Sequence, residues 1–181
     1  DFVSLFYDEF KKADPNAKLA TIFSTLELKD KVKFESTNDQ VIEVIRKYQP
    51  EIILANAKDD RHPDHKRAGD LVSRANFLSG LMKIEDEQPA WRAKSIYRYV
   101  QDYFVKPDFV VDISGLELQK LQAIKAYKSQ FYDANSTEPQ TPISKPDFLD
   151  FVLARAKEFG RSINTEYGEG FTVERNIGID N

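Results

Sequence analysis

The sequence of 181 residues contains no cysteine and two histidines. The lack of cysteine excludes a disulfide framework, a thiolate zinc site and a cysteine nucleophile, and it fits a reducing cytoplasm. No apolar run is long enough to span a bilayer, and no signal peptide is visible. The net charge is −4, and no basic stretch is present that would neutralise several phosphates. We therefore expect neither a nucleic-acid partner nor a membrane partner.

The remaining composition is typical of a globular protein. Hydrophobic residues make up 41% and charged residues 31% of the chain, and the length predicts a single domain over residues 1–181. The chain begins at Asp1 rather than at methionine, and its first residues already have the pattern of an amphipathic helix. Because this opening resembles the middle of a fold, we expect that an upstream segment precedes it in the complete protein.

Strand and helix patterns alternate along the chain, which predicts an α/β fold with a mostly parallel sheet flanked by helices. The predicted strands span residues 18–23, 51–55, 95–100 and 109–113. The predicted helices span residues 2–13, 39–48, 63–82, 116–131 and 148–163, and Thr37 or Asn38 is the predicted N-cap of the second. Irregular structure is expected for residues 29–37 and for the loop 133–146, and Gly168, Gly170 and Gly178 punctuate the tail, for which no strand is predicted.

Both histidines lie in the stretch Arg61-His62-Pro63-Asp64-His65, between a predicted strand and a predicted helix. Ligands of open α/β sheets bind outside the carboxyl ends of the strands, so this stretch is a candidate site. His65 falls in the first helical turn, where the backbone is well fixed, as a metal ligand requires. His62 is on the loop side and can meet a substrate, and Asp64 can hold one imidazole through its ring N–H. A zinc site with an open position takes three protein ligands, and this motif supplies one or two.

Other interpretations of these residues stay open. The same motif also suits a polar helix cap with no chemistry. Asp59 and Asp60 are candidate ligands or bases, but a solvated loop rich in turn formers is the simpler interpretation. Four aromatic residues can line a sugar pocket, although such residues more often belong to a core or an interface: Phe131, Tyr132, Phe148 and Phe151. An acidic and aromatic tail favours packing or a subunit contact: Glu166, Tyr167, Glu169 and Glu174.

The stretch from Ile45 to Ala57, followed by Asp60 to His65, resembles the LmbE/PIG-L family of zinc-dependent deacetylases. A closer resemblance is to the N-acetylglucosaminyl-malate deacetylases of bacillithiol biosynthesis, and four later segments support it: residues 106–113, 128–132, 141–144 and 167–171. The resemblance implies a Rossmann-like, LmbE-like α/β fold and hydrolysis of the N-acetyl group of N-acetylglucosaminyl malate. It also implies a small amino-sugar substrate, Zn²⁺ or another divalent ion as cofactor, and a cytoplasmic homo-oligomer.

The resemblance assigns roles to three residues of the motif. His65 matches the zinc-ligand histidine that closes it. His62 matches the histidine that stabilises the oxyanion and serves as a general acid, and Asp64 matches the aspartate that supports this histidine pair. No substrate-binding residue is assigned.

One half of the family's active site is missing from this sequence. The family has an Ala-His-Pro-Asp-Asp motif after its first strand, which carries a zinc histidine, a zinc aspartate and the aspartate general base, and an arginine-bearing loop follows it. We expect that the N-terminal strand and helix that carry these residues lie outside this sequence. The alternative is a catalytically incomplete homologue that acts as a binding or oligomer subunit. A nucleotide-binding Rossmann domain is disfavoured, because no glycine-rich first turn is present.

Overall fold

A computed structural model describes residues 19–21, 34–84, 87–127, 130–131, 137 and 139–178, and it describes side chains from Asn38 onward. The described residues form two compact units. The larger unit contains residues up to 108 and from 171 onward, and the smaller contains residues 109–170. A single domain over the whole chain stays a prediction. The helix predicted at residues 2–13 lies outside the described residues.

The larger unit is built on parallel strands joined by helices. Its elements are β1 (Leu19–Thr21), α1 (Phe34–Tyr48), β2 (Ile52–Ala55), α2 (Pro63–Ser79) and β3 (Ser95–Tyr99). The three strands run parallel in the order β1, β2, β3, with Leu19 opposite Ile52 and Ile52 opposite Ser95. The second half of a further strand, β5 (Gly168–Val173), pairs antiparallel with β3, so the sheet is mixed. The predicted parallel order therefore holds for the first three strands.

The core of the larger unit lies between α1, α2 and the sheet. Val41, Ile42 and Ile45 of α1 are buried, as the apolar spacing of the sequence predicts. They pack in one cluster with residues of β2, α2 and β3: Ile53, Ala55, Val72, Ala75, Ala93 and Ile96. The apolar pattern of the sequence also assigns Val44 and Tyr48 to the buried face of α1, and both are instead exposed.

The helix boundaries differ from the predicted ones. Helix α1 begins at Phe34, so Thr37 lies inside the helix and is not its N-cap, and Asn38 is not either. Helix α2 ends at Ser79, before the predicted end at residue 82. None of the described helices has both the length and the apolar character needed to cross a membrane.

The smaller unit contains β4 (Phe109–Asp112), α3 (Glu117–Lys125), a short 3-10 turn (Pro142–Ser144), α4 (Phe148–Ser162) and the first half of β5, which lies beside β4. Helix α3 ends earlier than the predicted residue 131, as its last amides bond to carbonyls three residues back.

The tail around Gly168 and Gly170, for which the sequence predicts no strand, contains β5. A Cβ at Gly168 would lie 2.6 Å from a methyl carbon of Val110, and one at Gly170 would lie 2.8 Å from the Phe159 ring. These glycines therefore serve close packing within a strand, although glycine pairs more often mark turns.

Arg46 ties the end of α1 to the end of α2. Its guanidinium is buried and donates to three backbone carbonyl oxygens, those of Ser79 at 3.0 Å, Leu81 at 2.9 Å and Ile84 at 3.0 Å. These carbonyls lie at and just beyond the C-terminus of α2, where the helix leaves them without partners of its own. A cation is also favoured there by the helix dipole.

Replacing Arg46 with methionine should lower the free energy of unfolding by roughly 2–4 kcal/mol, because three carbonyls lose a charged donor at once. Urea unfolding of the purified protein measures this change. Lys47→Met at the next, exposed position is the matched control and should stay within about 0.5 kcal/mol of the parent. Equal unfolding midpoints for the two variants would contradict this role of Arg46.

Candidate active site

The two histidines meet where β2 leads into α2. His62 is the N-cap of α2, and its Nδ1 accepts a hydrogen bond from the backbone N–H of Asp64 at 3.2 Å. Pro63 occupies the first helical turn, where its missing N–H is not needed. The backbone N–H of His65 donates to the carbonyl of His62 at 3.1 Å, and the two imidazole rings stack with centroids 5.0 Å apart. The structure therefore brings the two predicted site histidines together at the carboxyl edge of β2.

Asp60 holds His65 in place. One carboxylate oxygen contacts Nδ1 of His65, and the other accepts the backbone N–H groups of Asp102 at 2.8 Å and Tyr103 at 3.2 Å. The Asp60 side chain is 1% exposed. Burial by itself raises the pKa of Asp60, but the hydrogen bond from His65 and the two backbone bonds outweigh it, so the pKa is lowered from its usual 3.8. The carboxylate is therefore ionised at neutral pH.

The two imidazoles consequently have opposite tautomers when they are neutral. An ionised Asp60 can only accept, so Nδ1 of His65 carries the proton and Nε2 has the free lone pair. Nδ1 of His62 accepts a hydrogen bond, so the proton of that ring is on Nε2. A carboxylate behind a histidine is the usual arrangement for a metal ligand, and it raises the basicity of the ligating nitrogen. His65 is thus suited to bind a metal, and His62 to donate a hydrogen bond.

The carboxylate of Asp64 lies close to the histidines without holding either ring. It is 4.0 Å from Nδ1 of His62, which is beyond hydrogen-bond distance, and it pairs with Arg67 at 3.2 Å. The supporting role that the sequence suggested for Asp64 is filled in the structure by Asp60. Asp59 is exposed, as a solvated loop residue would be. The sequence shows three aspartates around the motif and gives no local signal that Asp60 is the buried one.

The loop after β3 forms the other side of this arrangement, and sequence reasoning missed it entirely. Gln101 accepts the backbone N–H of Ala57 at 3.1 Å, and Asp102 pairs with Arg61 at 2.6 Å. With the two backbone bonds to Asp60, these contacts join the loops that follow two neighbouring parallel strands. Tyr103 in this loop is 50% exposed.

Tyr99, the last residue of β3, lies within electrostatic reach of Asp60. Burial, and then the negative charge of Asp60, raise the pKa of the Tyr99 hydroxyl to about 12. The hydroxyl therefore keeps its proton at neutral pH and cannot serve as a base there.

The described side chains supply part of the donor set that a metal site requires. Among the described residues, no group of three or more histidine or carboxylate side chains is placed to hold a metal ion. His65 with Asp60 behind it fits one ligand position, whereas a zinc site with an open position takes three protein ligands. The described residues therefore fit one position of such a site and do not complete it.

The remaining residues named from the sequence take part in packing. In the smaller unit the Phe148 ring stacks on Phe131 with centroids 5.6 Å apart and lies tilted against Phe151 with centroids 6.2 Å apart, and Tyr132 lies outside the described residues. Glu169 pairs with Lys120 in that unit, and Glu174 accepts a hydrogen bond from Arg98 at 2.8 Å in the larger one.

Known proteins with a related sequence or fold include sugar deacetylases. No protein-family model matches the chain. A diacetylchitobiose deacetylase from Thermococcus kodakarensis is 34% identical over 97 residues, which are 51% of this chain and 36% of that protein. The N,N'-diacetylchitobiose deacetylase from Pyrococcus horikoshii superposes with a TM-score of 0.62 at 26% identity, over 79% of this chain and 53% of that one. The 4-carboxy-2-hydroxymuconate hydratase GalB from Pseudomonas putida superposes with a TM-score of 0.65 at 19% identity, over 86% of this chain and 64% of that one.

These similarities confirm the predicted LmbE-like α/β fold. The hydratase, at 19% identity, shares the fold alone. This chain spans about a third of the length of the curated relative, and less than two thirds of each solved structure. The aligned sequence relative and one of the two structures are both deacetylases of an acetylated sugar.

The opposite tautomers of the two rings can be observed directly. In a long-range ¹H–¹⁵N correlation spectrum recorded where both rings are neutral, His65 should show a proton on Nδ1 and His62 a proton on Nε2. The sequence has no other histidine, so two sets of signals are expected, and His65→Gln assigns them. A spectrum with both rings protonated on Nε2 would rule out the contact between Asp60 and His65.

The charge of Asp60 should make stability depend on pH. Because its pKa is lower in the folded protein than the usual 3.8, its ionisation stabilises the fold above about pH 4, and this contribution is lost as the pH falls through the folded-state value. Asp60→Asn keeps the size of the side chain but not its charge. It should lower the free energy of unfolding by roughly 1.5–3 kcal/mol at pH 7, and by progressively less towards pH 3. Unfolding at both pH values, with exposed Asp59→Asn as control, measures this. An equal loss of unfolding free energy at pH 7 and at pH 3 would be inconsistent with an ionised Asp60.

Proposed function

We propose that the protein is a metal-dependent N-deacetylase of the LmbE/PIG-L type that hydrolyses the N-acetyl group of an N-acetylglucosamine conjugate. The observation that carries this proposal is the arrangement of Asp60, His65 and His62 at the carboxyl edge of β2. It supplies one histidine prepared as a metal ligand and a second prepared as a donor, in a fold shared with a sugar deacetylase.

Amide hydrolysis needs a proton donor and stabilisation of the developing oxyanion. His62 suits both tasks, since its ring is about half exposed at the helix N-terminus and Nε2 is the protonated nitrogen. The neutral ring would donate its Nε2–H to the oxyanion. To deliver a proton to the leaving amine the ring must also be protonated on Nδ1, which then no longer accepts the Asp64 N–H and can pair with the Asp64 carboxylate 4.0 Å away. The general base and the other metal ligands must come from outside the described residues.

The finer parts of the proposal rest on the sequence resemblance. They are N-acetylglucosaminyl malate as the substrate, a place in bacillithiol biosynthesis, Zn²⁺ as the metal, and a cytoplasmic homo-oligomer. The names of the relatives support an acetylated sugar as substrate and do not identify malate as the aglycone.

A second candidate function is a catalytically incomplete homologue that acts as a binding or oligomer subunit. It is favoured by the finding that the described residues offer no group of three metal ligands. Metal binding by the complete protein distinguishes the two functions, because the enzyme needs the ion and the subunit does not.

The two histidines should separate metal binding from turnover. The complete protein should carry one zinc ion by native mass spectrometry and release acetate from N-acetylglucosaminyl malate. His65→Ala should lose the metal and the activity. His62→Ala should keep the metal and lose about 10²- to 10⁴-fold in kcat, the usual contribution of a general acid.

Lys66→Ala, a change at the exposed position that follows His65, is the control and should retain both properties. A His62→Ala variant with near-native kcat across pH would disprove the general-acid role. A complete protein that binds no metal and releases no acetate would favour the non-catalytic subunit.

A further inference from the structure

The loop after β3 brings Tyr103 to the candidate active site. The backbone N–H of Tyr103 donates to the Asp60 oxygen at 3.2 Å, and the other oxygen of the same carboxylate contacts His65. One carboxylate therefore separates the backbone of Tyr103 from the imidazole that is suited to bind a metal. The hydrogen bond from its backbone to Asp60 therefore places Tyr103 beside the site.

The base of this loop is held firmly. Asp102 donates its backbone N–H to Asp60 at 2.8 Å and pairs through its side chain with Arg61 at 2.6 Å. Gln101 accepts the N–H of Ala57 at 3.1 Å. A binding residue that stands on such a fixed backbone loses little further freedom when a ligand arrives.

The ring of Tyr103 is not needed for any of these contacts. The loop holds Asp60 through backbone N–H groups, which almost any residue supplies, while half of Tyr103 stays exposed. Single exposed aromatic residues are common on protein surfaces and mean little by themselves. Tyr103 and its exposed neighbour Phe104 differ from the others because they stand at the carboxyl edge of parallel strands, where ligands of such sheets bind. Of the two, Tyr103 is the residue whose backbone bonds to the carboxylate that holds His65.

We propose that Tyr103 is a substrate-binding residue whose ring packs against the pyranose ring of the acetylated sugar, an inference that rests on the proposed deacetylase function. A pyranose has apolar C–H faces and a rim of hydroxyl groups. A tyrosine ring at the site edge covers one such face while its hydroxyl and those of the sugar stay in water. Through this contact Tyr103 would favour substrates that have a sugar ring next to the acetamide. It would take no part in proton transfer.

Kinetics of four proteins test this assignment. Tyr103→Ala should raise KM for the N-acetylglucosamine conjugate by about three- to tenfold, the range expected for one aromatic contact, with kcat within about twofold of the parent. Tyr103→Phe should behave as the parent, since the ring is retained. Tyr48→Ala removes a tyrosine of similar exposure at the end of α1 and should change neither constant. An unchanged KM in Tyr103→Ala, or a large loss of kcat in Tyr103→Phe, would overturn the proposal.

A binding measurement keeps this test separate from the proposed reaction. The axial ring protons of the methyl glycoside of N-acetylglucosamine should shift upfield by NMR on binding to the parent and to Tyr103→Phe, and not with Tyr103→Ala. These shifts without acetate release would leave the Tyr103 assignment standing and refute the deacetylase function. Acetate release without these shifts would refute the Tyr103 assignment and leave the deacetylase function standing. An unchanged His65 signal in Tyr103→Ala shows that the loop still holds Asp60.

Discussion

The site depends on the ionised carboxylate of Asp60, which is buried between one imidazole and two backbone N–H groups. A buried charge is costly unless it is paired and hydrogen-bonded, and each oxygen of Asp60 has a partner. The same group joins the loop after β2, the first turn of α2 and the loop after β3. Loss of the charge would therefore release the His65 ring and weaken the connection between the two loops, which Gln101 and Asp102 also join.

The helix that carries both histidines is also held along its length. Arg46 binds the carbonyls at its far end, and Arg98 of β3 binds Asp70 in its middle at 3.1 Å. A Cβ at Gly69 would lie 2.7 Å from the backbone oxygen of Asn56, which follows β2, so the close approach of the helix to this strand end requires glycine there. Two buried guanidinium groups thus fix the axis of α2. The position of His65 relative to the sheet follows from those contacts and from Asp60 together.

Local signals in the sequence were sufficient for the element that carries the histidines. The short apolar run of β2, Pro63 in the first turn of α2 and the concentration of all histidine in one loop predict a strand, a site and a helix start. The role of Asp60 could not be predicted, because its partner Asp102 lies 42 residues away in the chain. The strand β5 was missed for a related reason, since the need for Gly170 comes from the Phe159 ring and not from the residues beside it.

The roles of the two histidines are set by their neighbours rather than by the imidazole group itself. The same fold serves sugar deacetylases and a hydratase, so the fold alone does not determine the reaction. Here a carboxylate fixes the proton of His65 on Nδ1, and the N–H of Asp64 fixes that of His62 on Nε2. One ring can then bind a metal while the other donates to a substrate oxygen. Because Asp60 and the helix N-terminus impose this difference, the two residues are not interchangeable, although they are three positions apart and stacked on each other.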